Sequence, residues 1–223
     1  MTVLTTLGAT ETVTAEGCIL YYPDYGRVDL VVEHMPSSAD STITFCCEAA
    51  FTGELLDTFS HMNIADDHVS GGVAYKGYRC SANTGAFIFR SDGTHAFMLK
   101  KDFGEAQKAG AAMAFCQRLL VLDGETCPMW SLLRNNRTVY RTLCEDSEGR
   151  LCLVQGGSVM TLEQYVKCLE RLKVRNAIYL DMGAGWNYAF YRDPNSTLCE
   201  IFPESKTSKY FKYRTNWIVF YKS

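Results

Sequence analysis

No apolar run in the sequence approaches the roughly 20 residues that a membrane-spanning helix requires. Charge of either sign is also unremarkable in quantity: 22 basic residues against 25 acidic ones leave a formal net charge of −3. The basic residues are scattered, so there is neither a stripe for nucleic acid nor a polybasic patch for a membrane surface. The opening residues, MTVLTTLGATETVTAEGC, have no charged n-region and no apolar h-region. As written the chain therefore lacks a secretory leader and is expected to be cytoplasmic, or exported if a leader has been removed upstream. Internal repeats, low-complexity tracts and long linkers are missing too. The ten cysteines include no C-x-x-C pair and no Cys/His cluster at zinc spacing. Neither a metal nor another cofactor is assigned.

What is present describes a globular chain. Hydrophobic residues make up 47% and charged residues 21% of 223, a balance that supports a packed core. The length suits one α+β domain spanning 1–223, burying roughly 70–75% of its unfolded surface, with residues 1–17 peripheral. An even cysteine count permits disulfides. However, Cys46, Cys47, Cys144, Cys152 and Cys168 lie in apolar or periodic segments, where a free thiol behaves as a small hydrophobe. Buried free thiols are the expectation.

Strands are expected at 18–22, 27–33, 42–47, 85–90, 95–99, 139–144, 150–155, 176–181, 187–192 and 215–221. Each is rich in β-branched or aromatic residues and bounded by Gly, Asp, Asn or Pro. Asp92-Gly93 and Glu148-Gly149 read as hairpin turns. Helices are expected at 53–62, at the Ala-rich stretch 105–120 and at 162–173, where Thr161 and Gln164 spell a capping box. The last lies between strands 150–155 and 176–181, a β-α-β arrangement. The fold class is α+β, with a mixed, largely antiparallel twisted sheet or sheets and about three helices.

Aligned in this order, the parts resemble the phosphodiester glycosidase family over most of residues 40–221. The likeness is carried by YRTLCEDSEGRLCLVQGG, by MTLEQYVKCLERLKVRNAIYLD, by MGAGWNYAFY and by TNWIVFY. It is fainter in TITFCCEAAFTG and GGVAYKGYRCSANTGAFIFRSDG. Glu48 stands where the family has Asn, and Met182 to Asn187 replace a Gly/Ser-rich run, with Trp186 where small hydroxyls are usual. The resemblance implies a hydrolase cleaving the glycosidic bond of a sugar linked through phosphate. An inactive member that binds a glycan or sugar phosphate is the alternative.

The candidate residues are read on their own chemistry as well. Arg141, flanked by apolar residues, offers a bidentate fork for phosphate or pairs with a buried acid. Asp181, ending an apolar strand at a small-residue turn, is an Asx-turn acceptor, a general acid/base, or both. Glu48 is a carboxylate whose burial would raise its pKa. Together these three are expected to converge on one pit as the catalytic set. Gly156, Gly157, Gly183 and Gly185 could offer amides to an anion. Asn187, Asn216 and Trp186 could bind sugar hydroxyls or stack on a sugar ring. Asp66, Asp67 and His68 are read as a solvated loop. A cysteine hydrolase using Cys46 or Cys47 is a weaker reading with no His nearby in sequence. Asn136 and Asn195 begin glycosylation sequons that matter only in a eukaryotic secretory pathway.

Overall fold

The computed structural model describes residues 7–53, 61–128, 136–183, 187–208 and 216–223. In the described residues most strands belong to three antiparallel sheets. The first runs from Thr10–Ala15 through Cys18–Pro23, Leu151–Gly156, Arg141–Glu145 and Asn176–Tyr179 to Leu119–Leu122 and Glu125–Thr126. The second is ordered Leu198–Ile201, Ala189–Arg192, Ile43–Glu48, Asn216–Tyr221 and Arg27–Val32. The third is ordered Val73–Tyr75, His68–Ser70, Ala111–Gln117, Gly85–Arg90 and His95–Leu99.

One face of each sheet contributes to the largest core. Leu143, Leu153 and Ile178 come from the first, Phe45, Cys47 and Ile218 from the second, and Phe87 and Phe115 from the third. Successive strand residues point to opposite faces, and the neighbours of these residues fill other clusters. Cys144, Cys152 and Ala177 meet the helix Leu162–Arg171 on the outer face of the first sheet. Cys46, Val219 and Trp217 lie on the outer face of the second. Sheets buried on both sides explain why ITFCCE and NWIVF read as continuous apolar runs. All ten cysteines are free thiols, seven of them buried.

The helix Leu162–Arg171 begins where the capping box placed it. Thr161 Oγ1 accepts from the Gln164 amide at 3.2 Å, and Gln164 Oε1 accepts from the Thr161 amide at 2.9 Å. Thr161→Ala should cost about 1 kcal/mol. Urea denaturation checks this, and an unchanged midpoint would remove the box from the account of the helix. The strands before and after the helix both pair antiparallel with Arg141–Glu145. They are therefore parallel to each other but not adjacent, so the crossover spans an intervening strand. Both hairpin turns form, with Gly93 at φ 84° and Gly149 at φ 82°.

The Ala-rich stretch departs from expectation. Only Glu105–Ala109 is helical, and Ala111–Gln117 is a strand in the middle of the third sheet. The reason is burial. Met113 and Phe115 enter the central core, while Ala114 and Cys116 face Val69, Ala86 and Ile88. Burying a large apolar side chain is worth about 1.5–3 kcal/mol, more than the few tenths per residue by which Ala favours a helix. The helix expected at 53–62 falls mostly on residues 54–60, outside the described residues. His61–Asn63 is a 3-10 turn.

Candidate functional site

Asp181 follows the strand Asn176–Tyr179 and shares a cavity with Tyr179, two residues before it. Its main-chain amide donates to the Ala49 carbonyl at 3.0 Å, which ties this turn to the end of Ile43–Glu48. Its carboxylate accepts from the Gly183 amide at 2.9 Å and also from the amides of Thr52 and Met182. Asp181 is only 6% exposed. Burial pushes its carboxyl up to about 6, against the opposing pull of the three amides. A capping acid and a group titrating near neutrality are thus the same residue.

The cavity beside it measures about 260 Å3. Phe51, Leu120, Tyr140, Leu162 and Tyr179 provide its apolar and aromatic wall, and Arg118 and Asp181 its charged groups. Arg118 sits in the one-residue break between Ala111–Gln117 and Leu119–Leu122, with its amide donating to Gln117 Oε1 at 2.8 Å. Its carbonyl accepts from the Tyr179 amide at 2.8 Å. It is 7% exposed. Burial lowers its pKa, and the neighbouring Tyr179, Cys80 and Tyr140 act against that fall. The Tyr179 hydroxyl is held well above its usual range by burial and then by Asp181, so it remains a donor.

Arg141 lies elsewhere. It is fully buried, and it shares the inner face of the first sheet with Leu143. Its Nε and Nη2 donate to Gln155 Oε1 at 3.0 and 2.7 Å, and Nη2 also donates to the Asn187 carbonyl at 3.1 Å. Thr142 points the other way, its hydroxyl 2.8 Å from the Tyr165 hydroxyl. Asp181, by contrast, joins the cavity on the Tyr179 side. Glu48 is also fully buried. It is the direct cross-strand partner of Trp217, so it takes the outer face of the second sheet while Cys47 takes the inner one. Of the three charged groups, only Asp181 lines this cavity.

Among the other expected residues, Gly183 lines the cavity, though its amide is given to Asp181. Asn216 clamps Ala50, with Oδ1 accepting from its amide at 2.7 Å and Nδ2 donating to its carbonyl at 3.0 Å. Asn187 accepts the Ser205 hydroxyl on its side chain. The amides of Gly156 and Gly157 donate to Tyr140 and Gly17 carbonyls, each at 2.9 Å. A Cβ at Gly157 would lie 2.9 Å from the Gly17 oxygen, so this glycine serves a close main-chain approach. Gly185 and Trp186 lie outside the described residues. Arg118, Tyr140, Tyr179 and Phe51 were not among the expected site residues. Tyr179 could have been inferred from its i, i+2 relation to Asp181.

The two remaining readings change. Asp66 and Asp67 are not simply solvated, since each takes a lysine at 2.6 Å, Lys100 and Lys108 respectively. His68 is buried, its Nε2 2.9 Å from Nδ1 of His61. Among the described residues no group of three or more His, Cys, Asp or Glu side chains is placed to hold a metal. Cys46 and Cys47 are fully enclosed, and burial pushes Cys47 up to about 12 and Cys46 well above its usual value. Neither is suited to act as a nucleophile.

Three largely antiparallel sheets, a helix backing one of them and a small cavity at a strand end define an α+β fold. It is shared, at 16% identity and a TM-score of 0.59, with the zebrafish N-acetylglucosamine-1-phosphodiester alpha-N-acetylglucosaminidase catalytic domain, auto-inhibited by its pro-peptide. That match covers 96% of this chain and 81% of the other. A hypothetical protein from Synechocystis is similar over 95% of this chain and 61% of its own, at 11% identity and a TM-score of 0.52. At such identities the likeness is one of fold. No protein-family model matches the chain, and no curated protein matches it significantly by sequence.

Proposed function

We propose that the protein hydrolyses the glycosidic bond of a sugar linked through phosphate, with the cavity at Asp181 as its active site. The observation that carries this reading is a buried carboxyl near 6 sharing a small aromatic-walled cavity with an arginine. The fold it shares with the zebrafish catalytic domain supports the choice of substrate class. A phosphodiester leaves readily, so protonating it is a minor need. Stabilising charge as the bond breaks is the larger one. Ionised Asp181 would face the sugar carbon that becomes positive and take a proton from the attacking water. Arg118 would hold the phosphate oxygens. Tyr140, Tyr179 and Phe51 would pack against the ring. In this reading Arg141 and Glu48 are structural. Arg141 donates to the Asn187 carbonyl.

A screen of sugar release from nucleotide sugars and α-linked sugar phosphodiesters tests the proposal, run with wild type and Arg118→Gln. Losing a charge-assisted hydrogen bond costs about 1.5–3 kcal/mol. The variant should therefore show KM raised about 10- to 100-fold for phosphodiesters. An uncharged glycoside should not distinguish it from wild type. Release from none of these substrates by folded wild-type protein would turn the reading to a non-catalytic binder of glycan or sugar phosphate.

A further inference from the structure

We propose that Cys18 and Cys168 form a reversible disulfide that staples the first hairpin to the helix, with Cys168 reacting first. Cys18 opens the strand Cys18–Pro23, directly after the tight turn at Glu16 and Gly17, which have φ of 51° and 75°. Cys168 is on the sheet-facing side of the helix Leu162–Arg171. Both belong to the core between helix and sheet, and the two thiols are hydrogen-bonded to each other.

The two sulfurs differ in setting. Arg171 Nη2 lies 3.3 Å from the Cys168 sulfur, while its Nε binds Glu16 Oε2 at 2.7 Å. Glu16, two residues before Cys18, thus holds a guanidinium against the Cys168 sulfur. Arg171 also acts on Cys18, but more weakly than burial and Cys168 oppose it. Cys18 is fully buried, and burial, reinforced by Cys168, pushes its thiol up to about 12. Access is unequal too. Cys168, with Gly17, Gln164, Arg137, Lys167 and Arg171, lines an open groove of about 520 Å3. Three cations, Arg137, Lys167 and Arg171, against one acid, Glu16, line this groove, a balance that suits an anionic oxidant such as glutathione disulfide. Cys144 and Cys152 also face each other, as cross-strand partners, but both are fully enclosed.

The exchange balances in two steps. The Cys168 thiolate attacks one sulfur of glutathione disulfide, breaking its S–S bond, forming a mixed disulfide and releasing a glutathione thiolate. Cys18 then gives up its proton to that thiolate and attacks the Cys168 sulfur, expelling the second glutathione. Two cysteine thiols are oxidised and one glutathione disulfide is reduced. The new bond closes a long loop of the unfolded chain, so the oxidised protein should be harder to unfold.

The full chain is incubated in excess glutathione disulfide, then digested without reduction and analysed by mass spectrometry. Wild type should yield a linked Cys18–Cys168 peptide and melt higher than its reduced form. Cys18→Ser should carry one glutathione on Cys168, and Cys168→Ser should leave Cys18 unmodified; neither variant should gain thermal stability. A wild type without the linked peptide overturns the proposal. So does Cys18 acquiring glutathione when Cys168 is absent.

Discussion

Asp181→Asn is expected to lower turnover of a sugar phosphodiester by about 10²- to 10⁴-fold, while making the folded protein more stable above pH 6. The two effects share a cause. Burial raises this carboxyl from 3.8 to about 6. Below pH 3.8 the group is protonated in folded and unfolded chains alike and costs nothing. As pH rises from 3.8 to 6 the unfolded chain ionises first, so stability falls, and above 6 the deficit is constant. A shift of this size corresponds to about 3 kcal/mol. Asparagine has no charge to desolvate and keeps one acceptor for the turn amides, so it should recover a large part of that. Wild-type activity should rise with pH through about 6 and the variant should lack this limb. Denaturation at pH 4 and pH 8 reads the stability side. An Asn variant that is inactive and also less stable at pH 8 would mean that the carboxylate is needed for folding.

Gly77→Ala is expected to destabilise by about 3 kcal/mol or more, at the upper end of overpacking effects. A Cβ there would overlap the main-chain oxygens of Ile64 and Asp66, and neither can swing away as a side chain would. Those residues are bonded to the next position. The Tyr78 amide donates to Ile64 O at 3.0 Å, and the Asp66 amide donates to Tyr78 O at 2.7 Å. Tyr78 in turn packs against Gly53, and Asp181 raises the pKa of its hydroxyl after burial and Cys80 have done so. A strained main chain at residue 77 would thus loosen the packing of Tyr78 on Gly53 as well as the pairing. Chemical denaturation together with activity tests this, and a variant with wild-type midpoint would show that the main chain relaxes at little cost.

Features decided within a few residues were legible before the structure. The Thr161 and Gln164 pair, the Asp92-Gly93 turn and the strands near Gly85–Arg90 and Leu151–Gly156 depend on local propensity and alternation. Ala111–Gln117 was not, because its alanines favour a helix in isolation and only the neighbouring sheet makes a strand the better burial. That misreading also hid Arg118, which as a residue at a strand break aims into the cavity. Asp181 was recognisable as an acid delivered by an apolar strand. That Arg141 does not line the same cavity was not, since it depends on which strands pair. Thr142 opposite Tyr179 places Arg141 on the inner face and Tyr179 on the outer. Glu48 opposite Trp217 does the same in the second sheet.

Asn216–Tyr221 occupies the slot between Ile43–Glu48 and Arg27–Val32. On the ribosome those two earlier segments emerge long before the six residues that join them. Until those six residues appear, the nascent polypeptide carries bare rims of unpaired amides and carbonyls, with Phe45 and Leu30 beside them. The second sheet can therefore close only after the strand Asn216–Tyr221 has left the ribosome, well after the two strands it joins.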